Sequence, residues 1–145
     1  MKLRMAGVTA IAAMAFACLF STDVLAREAA VITRDQLQEM FDSMSDRWDV
    51  SEPLLWGYFF THSSRVPLEK AAKLLEASGY RFVEIHLGDK ESATEPDEWW
   101  LHVEKVEVHS VDSLDRRNQE FYRLAESLGL DSYDGMDVGP APRLQ

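Results

Sequence analysis

The chain has 145 residues, with 25 acidic against 15 basic side chains, a formal net charge of −10 and a single cysteine. That charge repels phosphate backbones and anionic membrane surfaces, which argues against nucleic-acid and membrane-surface roles. A chain of this length supports one small domain, and one cysteine gives no internal disulfide, so stability must come from an apolar core.

The first elements read as an export signal. Lys2 and Arg4 form a basic start, Met5 to Phe20 is apolar apart from Thr9, and Ser21-Thr22-Asp23 breaks the run. The apolar stretch suits a signal peptide and is short for a membrane span. Small residues before the Ala26–Arg27 bond predict cleavage there, giving a periplasmic or secreted product without a stable membrane span. A lipoprotein acceptor role for Cys18 is opposed by Ala15 three residues earlier, by Phe16, and by the greasy Leu19-Phe20 that would follow it. Removing residues 1–26 takes away Lys2, Arg4 and Asp23 and leaves a cysteine-free chain of net charge −11. The plan is then a signal peptide (1–26), an N-terminal helix and connection (27–52), a core domain (53–139) and a tail (140–145).

Thr33-Arg-Asp-Gln36 has the spacing of a capping box, and Leu37, Met40, Phe41 and Met44 follow on one helical stripe. Leu54 to Phe60, short and aromatic, predicts a central strand buried on both faces. Ser63-Ser64 and Pro67 open a second helix with Leu68, Ala71, Ala72, Leu74 and Leu75 inward, ended by Gly79. Tyr80 to Leu87 alternates as a strand, residues 88–98 form a polar hairpin loop, and Trp99 to Val111 returns. The apolar phase of that return shifts from Leu101/Val103 to Val106/Val108, which predicts a bulge near Glu104-Lys105. Asp112 or Ser113 is expected to cap a third helix carrying Leu114, Phe121, Leu124, Ala125 and Leu128, stopped by Gly129. A short strand over Ser132 to Val138 precedes a frayed tail.

This order gives an α+β chain: a ferredoxin-like βαββαβ antiparallel sheet with its helices on one face, preceded by an extra N-terminal helix and a signal peptide. No phosphate loop, nucleophile elbow, metalloprotease helix motif or mature thiol is present. No cofactor is expected. Four histidines (His62, His86, His102, His109) invite a test as ligands or bases. Glu84 and His86 with His102 and Glu104 would share the uncovered sheet face if they pair across the hairpin, making a weak metal or small-molecule site. Phe59 and Tyr58 could imitate the exposed aromatics of RNA-recognition sheets, but the acidity opposes that role. The acidic loop, with Asp89, Glu91, Glu95, Asp97 and Glu98, suits a basic protein patch. Trp99 and Trp100 point to opposite faces, so either the first helix covers the second face or one ring is left for a partner. Tyr133, Asp134 and Gly135 complete the candidate protein-binding surface.

Leu74-Leu-Glu-Ala-Ser-Gly-Tyr80 and Leu124-Ala-Glu-Ser-Leu-Gly-Leu-Asp-Ser-Tyr-Asp-Gly135 resemble the regulator of ribonuclease activity B family over residues 54–138. Met136 stands where that family usually has Trp. The resemblance implies a ferredoxin-like, non-catalytic regulator whose named member inhibits the cytoplasmic ribonuclease E by protein contact, without touching RNA. It supplies no catalytic residues. Acidity agrees with that mode, whereas export separates the chain from that ribonuclease. A non-catalytic exported binding or inhibitory module is therefore the leading expectation, with true ribonuclease regulation the alternative if the chain stays in the cytoplasm.

Arg27 is the expected first residue of the exported product. N-terminal sequencing of the accumulated protein checks this, and recovery of Met1 would refute it.

Overall fold

The computed structural model describes residues 31–143. The signal-peptide stretch, with Cys18, Ala26 and Arg27, lies outside the described residues. The elements are α1 (Arg34–Ser45), β1 (Leu54–His62), α2 (Arg65–Ala77), β2 (Arg81–Leu87), β3 (Trp99–Glu107), α3 (Val111–Ser127) and β4 (Ser132–Pro140). The strands form one antiparallel sheet in the order β2-β3-β1-β4. This is the ferredoxin-like arrangement, with all three helices on one face.

The first helix starts as its sequence dictates, with the Thr33 and Gln36 side chains each satisfying the other's backbone amide. Its stripe of Leu37, Phe41 and Met44 is buried in the same core as the sheet. Three contacts fix it against β1 and α3. Phe41 stacks on Trp56 at 6.0 Å, the Ile32 amide donates to the Tyr122 hydroxyl at 2.8 Å, and Arg34 grips Asp112 at 2.8 Å. So α1 adds to the helical layer, and among the described residues no helix covers the opposite sheet face.

That asymmetry corrects the reading of β1 as buried on both faces. Trp56, Tyr58 and Phe60 point into the helical layer and are fully buried, while Leu55 and Phe59 on the other face are half-buried. In α2, Leu68, Ala71, Ala72 and Leu75 are inward as predicted, but Leu74 lies on the flank and is half exposed. Both α2 and α3 end in the same motif. Tyr80 donates back to Leu75 and Leu130 back to Ala125, each across a glycine in the left-handed region (Gly79 at φ 88°, Gly129 at φ 65°). The next side chain, Tyr80 or Leu130, is thereby returned to the core.

Three local features differ from expectation, besides the return strand, which ends at Glu107 and leaves Val111 to α3. The α3 cap is Ser110, exchanging hydrogen bonds with Ser113, and not Asp112 or Ser113. Strand β4 runs on to Gly139 and Pro140, pairing with Leu55 and Leu54; at a sheet edge proline breaks no ladder bond. The bulge is not at Glu104-Lys105, because β3 pairs with β1 without interruption from Trp99 to Glu107. The irregularities lie in β2 between Phe82 and Glu84, and opposite Phe59/Phe60 where β4 passes Asp134. The apolar phase shift in β3 has a different cause. Its helix-covered face continues through Lys105 and Glu107, two charged residues the core accommodates, and Val106 is on the open face.

Glu107 is held by a buried polar network. Arg117 donates to both carboxylate oxygens, at 2.7 and 2.8 Å, and the Tyr58 hydroxyl donates at 2.9 Å. The His109 Nε2 is 3.3 Å from the same carboxylate and 3.0 Å from the Tyr58 hydroxyl. The Arg117 guanidinium also lies over the rings of Tyr58, Tyr80 and Phe121. Burial alone would raise the Glu107 pKa. The hydrogen bonds from His109, Arg117 and Tyr58, with the Arg117 charge, outweigh it and hold this carboxyl well below its ordinary value.

The sign follows from linkage. A folded pKa below the unfolded one gives stability that is complete above the ordinary glutamate value of 4.5 and lost as pH falls below it. Glu107→Gln is expected to cost about 2–3 kcal/mol at neutral pH, because Arg117 loses its charged partner in a mostly buried site. Denaturant melts at neutral pH and at pH 3 check this: the gap between the native chain and the variant should shrink in acid. A gap that widens would contradict the assignment.

Candidate functional site

The acidic loop is organised from within. The Gly88 amide donates to the Glu98 carbonyl at 2.8 Å and closes its base. Lys90 forms an ion pair with Asp97, the Glu91 amide donates to the Glu95 carboxylate at 3.1 Å, and Ser92 and Thr94 share a hydroxyl bond at 2.9 Å. Asp89, Glu91, Glu95 and Asp97 are exposed and Glu98 is half-buried. A shallow depression of about 210 Å³ runs between Asp89, Lys90, Glu95 and Glu98.

The two tryptophans diverge as strand geometry requires. Trp99 packs against the core on the helical side, with the Arg65 guanidinium 5.6 Å above its ring. Trp100 is on the open face, half-buried against Gly88 and opposite His86 and Thr61. The pairing of Thr61 with Ser132 puts the start of β4 at the same end of the sheet as the loop, two strands from Trp100.

Tyr133 and Gly135, however, are withdrawn from any partner. Tyr133 is 2% exposed, packs against Phe60, Phe121 and Tyr122, and donates its hydroxyl to the buried Asn118 at 2.6 Å. Gly135 is buried at φ 110° with the Ile32 side chain against it. Asp134 alone of the three is exposed. A tyrosine beside a turn signal reads equally as surface or core, and its aromatic neighbours come from distant parts of the chain.

The open face does gather Glu84, His86, His102 and Glu104, and the register sets one of the glutamates against one of the histidines across the hairpin. Glu84 lies opposite His102, and His86 lies opposite Trp100. The close pairs run along each strand: His86 Nδ1 to Glu84 Oε1 at 3.4 Å, and His102 Nε2 to Glu104 Oε1 at 3.5 Å. Among the described residues no group of three His, Cys, Asp or Glu side chains is placed to hold a metal ion. His62 lies near Asp131 and the Ser64 backbone, and His109 belongs to the Glu107 network.

Two register rows cross this face. One runs Arg81, Glu104, Gly57, Asp137; the next runs Glu84, His102, Phe59, Gly135. Arg81 is ion-paired to Glu104, and His102 stacks on Phe59 at 4.5 Å. The absence of a Cβ at Gly57 makes the cluster feasible. A Cβ there would stand 2.2 Å from Asp137 Oδ1 and 2.8 Å from His102 Nε2. The Asp137 pKa is raised, first by burial and then by the Glu104 charge, with His102 opposing. His102 Nε2 is shut off from solvent without a hydrogen-bond partner. Sequence reasoning missed Asp137 and Gly57. The available signal was a lone glycine in an aromatic strand, which marks a close approach.

Among the described residues no helix is long and apolar enough to cross a membrane. The model of the family described as "Regulator of ribonuclease activity B" matches residues 34–138, taking in α1 as well as the βαββαβ unit. No curated protein matches the chain. The match contains both helix exits and the Tyr133-Asp134-Gly135 turn, so Tyr133 can be tested as a core residue. Tyr133→Phe should cost about 1 kcal/mol or somewhat more, through the lost bond to Asn118. Chemical denaturation measures this, and an unchanged midpoint would contradict it.

Proposed function

The chain belongs to the regulator of ribonuclease activity B family, and from that premise we propose an exported, non-catalytic module that binds and inhibits another protein. The family description makes regulation through protein contact the coarse reading. The observation that carries the finer one is the acidic loop, which presents Asp89, Glu91 and Glu95 on a hairpin held at both ends, beside Trp100 on an uncovered sheet face. Carboxylates on a braced loop favour a basic protein surface, since the loop retains its shape when it docks.

Export is supported by the basic start, the apolar run and the small residues before Arg27. A periplasmic or secreted regulator meets partners on the far side of the membrane from cytoplasmic ribonucleases. The family match favours a second reading, regulation of a ribonuclease, for a chain that keeps its first residues and stays inside.

Affinity capture from periplasmic and cytoplasmic fractions of the native host tests both. The native chain should retain a specific protein from the periplasmic fraction, and the variant Asp89→Asn/Glu91→Gln/Glu95→Gln should retain several-fold less at low salt. Specific capture from the cytoplasmic fraction only would favour the second reading. No specific protein from either fraction would overturn both.

A further inference from the structure

We infer that the open sheet face packs on a second copy of this chain, about a two-fold axis that lies across the strands. The inference goes beyond the protein-binding reading: it occupies the sheet and leaves the acidic loops, one at each end of the pair, for a basic partner. Among the described residues no helix covers this face, yet Leu55, Phe59 and Trp100 lie on it half-buried and Val106 is 48% exposed. Apolar surface left in water forgoes about 25 cal/mol per Å² of burial. Strand register makes the face complementary to itself. With the axis between the two central rows, Arg81, Glu104, Gly57 and Asp137 of one copy meet Glu84, His102, Phe59 and Gly135 of the other, in that order. Base meets acid, acid meets imidazole, glycine meets a ring, and a carboxylate meets bare backbone. One row further out on each side, Val106 meets Trp100 and Leu55 meets Thr61. Every contact occurs twice, and in this register no carboxylate is set against another.

The side chains of the outermost charge pair are accessible. Arg81 holds its own Glu104 and is 67% exposed, while Glu84, 57% exposed, lies 3.4 Å from His86. A guanidinium has five donors, so one Arg81 serves its own Glu104 and the other copy's Glu84 together. The charge pattern selects this occupant. A uniformly basic surface would be opposed by Arg81, and a uniformly acidic one by Glu84, Glu104 and Asp137, whereas a second copy answers both signs in register. A phosphate backbone would be repelled by the same carboxylates. Four strands about 4.8 Å apart, each rising about 3.3 Å per residue, offer about 500 Å² per copy and about 1,000 Å² in the pair. That area is at the lower bound for a specific interface, so the dimer is a weak and reversible one. Repulsion between two acidic chains is screened beyond about 8 Å at physiological salt.

The test uses the protein as the cell accumulates it, at physiological salt. Sedimentation of the native chain should show a reversible dimer with a Kd of about 10–100 μM. Arg81→Glu and Glu84→Arg should each weaken association about tenfold, because each sets like charges together at two places. An equimolar mixture of the two variants should recover at least the native affinity, since in the mixed pair every altered side chain meets an opposite charge. Dilution of the isotope-labelled native chain should shift the amides of Gly57, Phe59, Glu84, Trp100, His102 and Val106. A monomer at every concentration up to about 1 mM, or shifts confined to residues 89–98 or to the helical layer, would overturn the inference. So would two folded variants that stay monomeric when mixed. The dilution map is made on the native chain, so it stands even if a variant folds poorly. Capture of a basic partner through the acidic loop is a separate result, and none of these outcomes alters it.

Discussion

The placement of Glu107 in the core constrains much of the rest of the molecule. A carboxylate on the helix-covered face of a central strand is costly unless charge and hydrogen bonds meet it from several sides. Here they come from β1 through Tyr58, from the start of α3 through His109 and Ser113, and from the middle of α3 through Arg117. The same guanidinium covers the rings of Tyr58, Tyr80 and Phe121, so one side chain joins the polar network to the aromatic core. These contacts fix both the register of α3 on the sheet and the face that β3 turns towards it.

With α3 fixed, the two helix exits determine what the helical layer buries. Each glycine turn sends the following residue, Tyr80 or Leu130, straight back under the helix it leaves. α1 then closes the layer by laying Phe41 on Trp56 and tying its start to Tyr122 and Asp112. Among the described residues, placing all helices on one side leaves the other side as sheet alone. That is why Phe59, Trp100, His102 and Asp137 are available together: the architecture removes their cover, and no local feature of those residues does so.

The parts that could be read from the chain were those governed by local chemistry. The Thr33/Gln36 cap, the Gly79 and Gly129 exits and the helical stripe of α1 each depend on residues within one turn, and each is in the structure as predicted. The errors came where distant residues decide. The β3 phase shift resembled a bulge because an apolar pattern cannot show that Glu107 is inward when its partners, Arg117 and Tyr58, belong to other elements. Ser110 was passed over as a cap because its reciprocal partner is a serine and not the customary Glu or Gln. Tyr133 looked like a surface residue beside a turn, yet three aromatic side chains from β1 and α3 enclose it. Asp137 gave no warning, since it meets His102 and Glu104 only through Gly57 of the strand between them.

The acidity of the chain divides into two kinds of surface with different physical uses. In the hairpin loop, Asp97 is paired with Lys90 and Glu95 folds onto the Glu91 amide, and the Asp89 and Glu91 carboxylates are exposed to solvent. Solvated charge acts over a Debye length of about 8–10 Å, is weakened by salt, and contributes more to the rate of encounter than to the strength of a complex. The open-face row is the reverse. Its Glu104 carboxylate is largely covered and paired with Arg81, its Asp137 carboxylate lies exposed on the edge strand over Gly57, and both are set in position by strand register. Groups of that kind discriminate between partners by geometry, because a donor out of place leaves them unpaired.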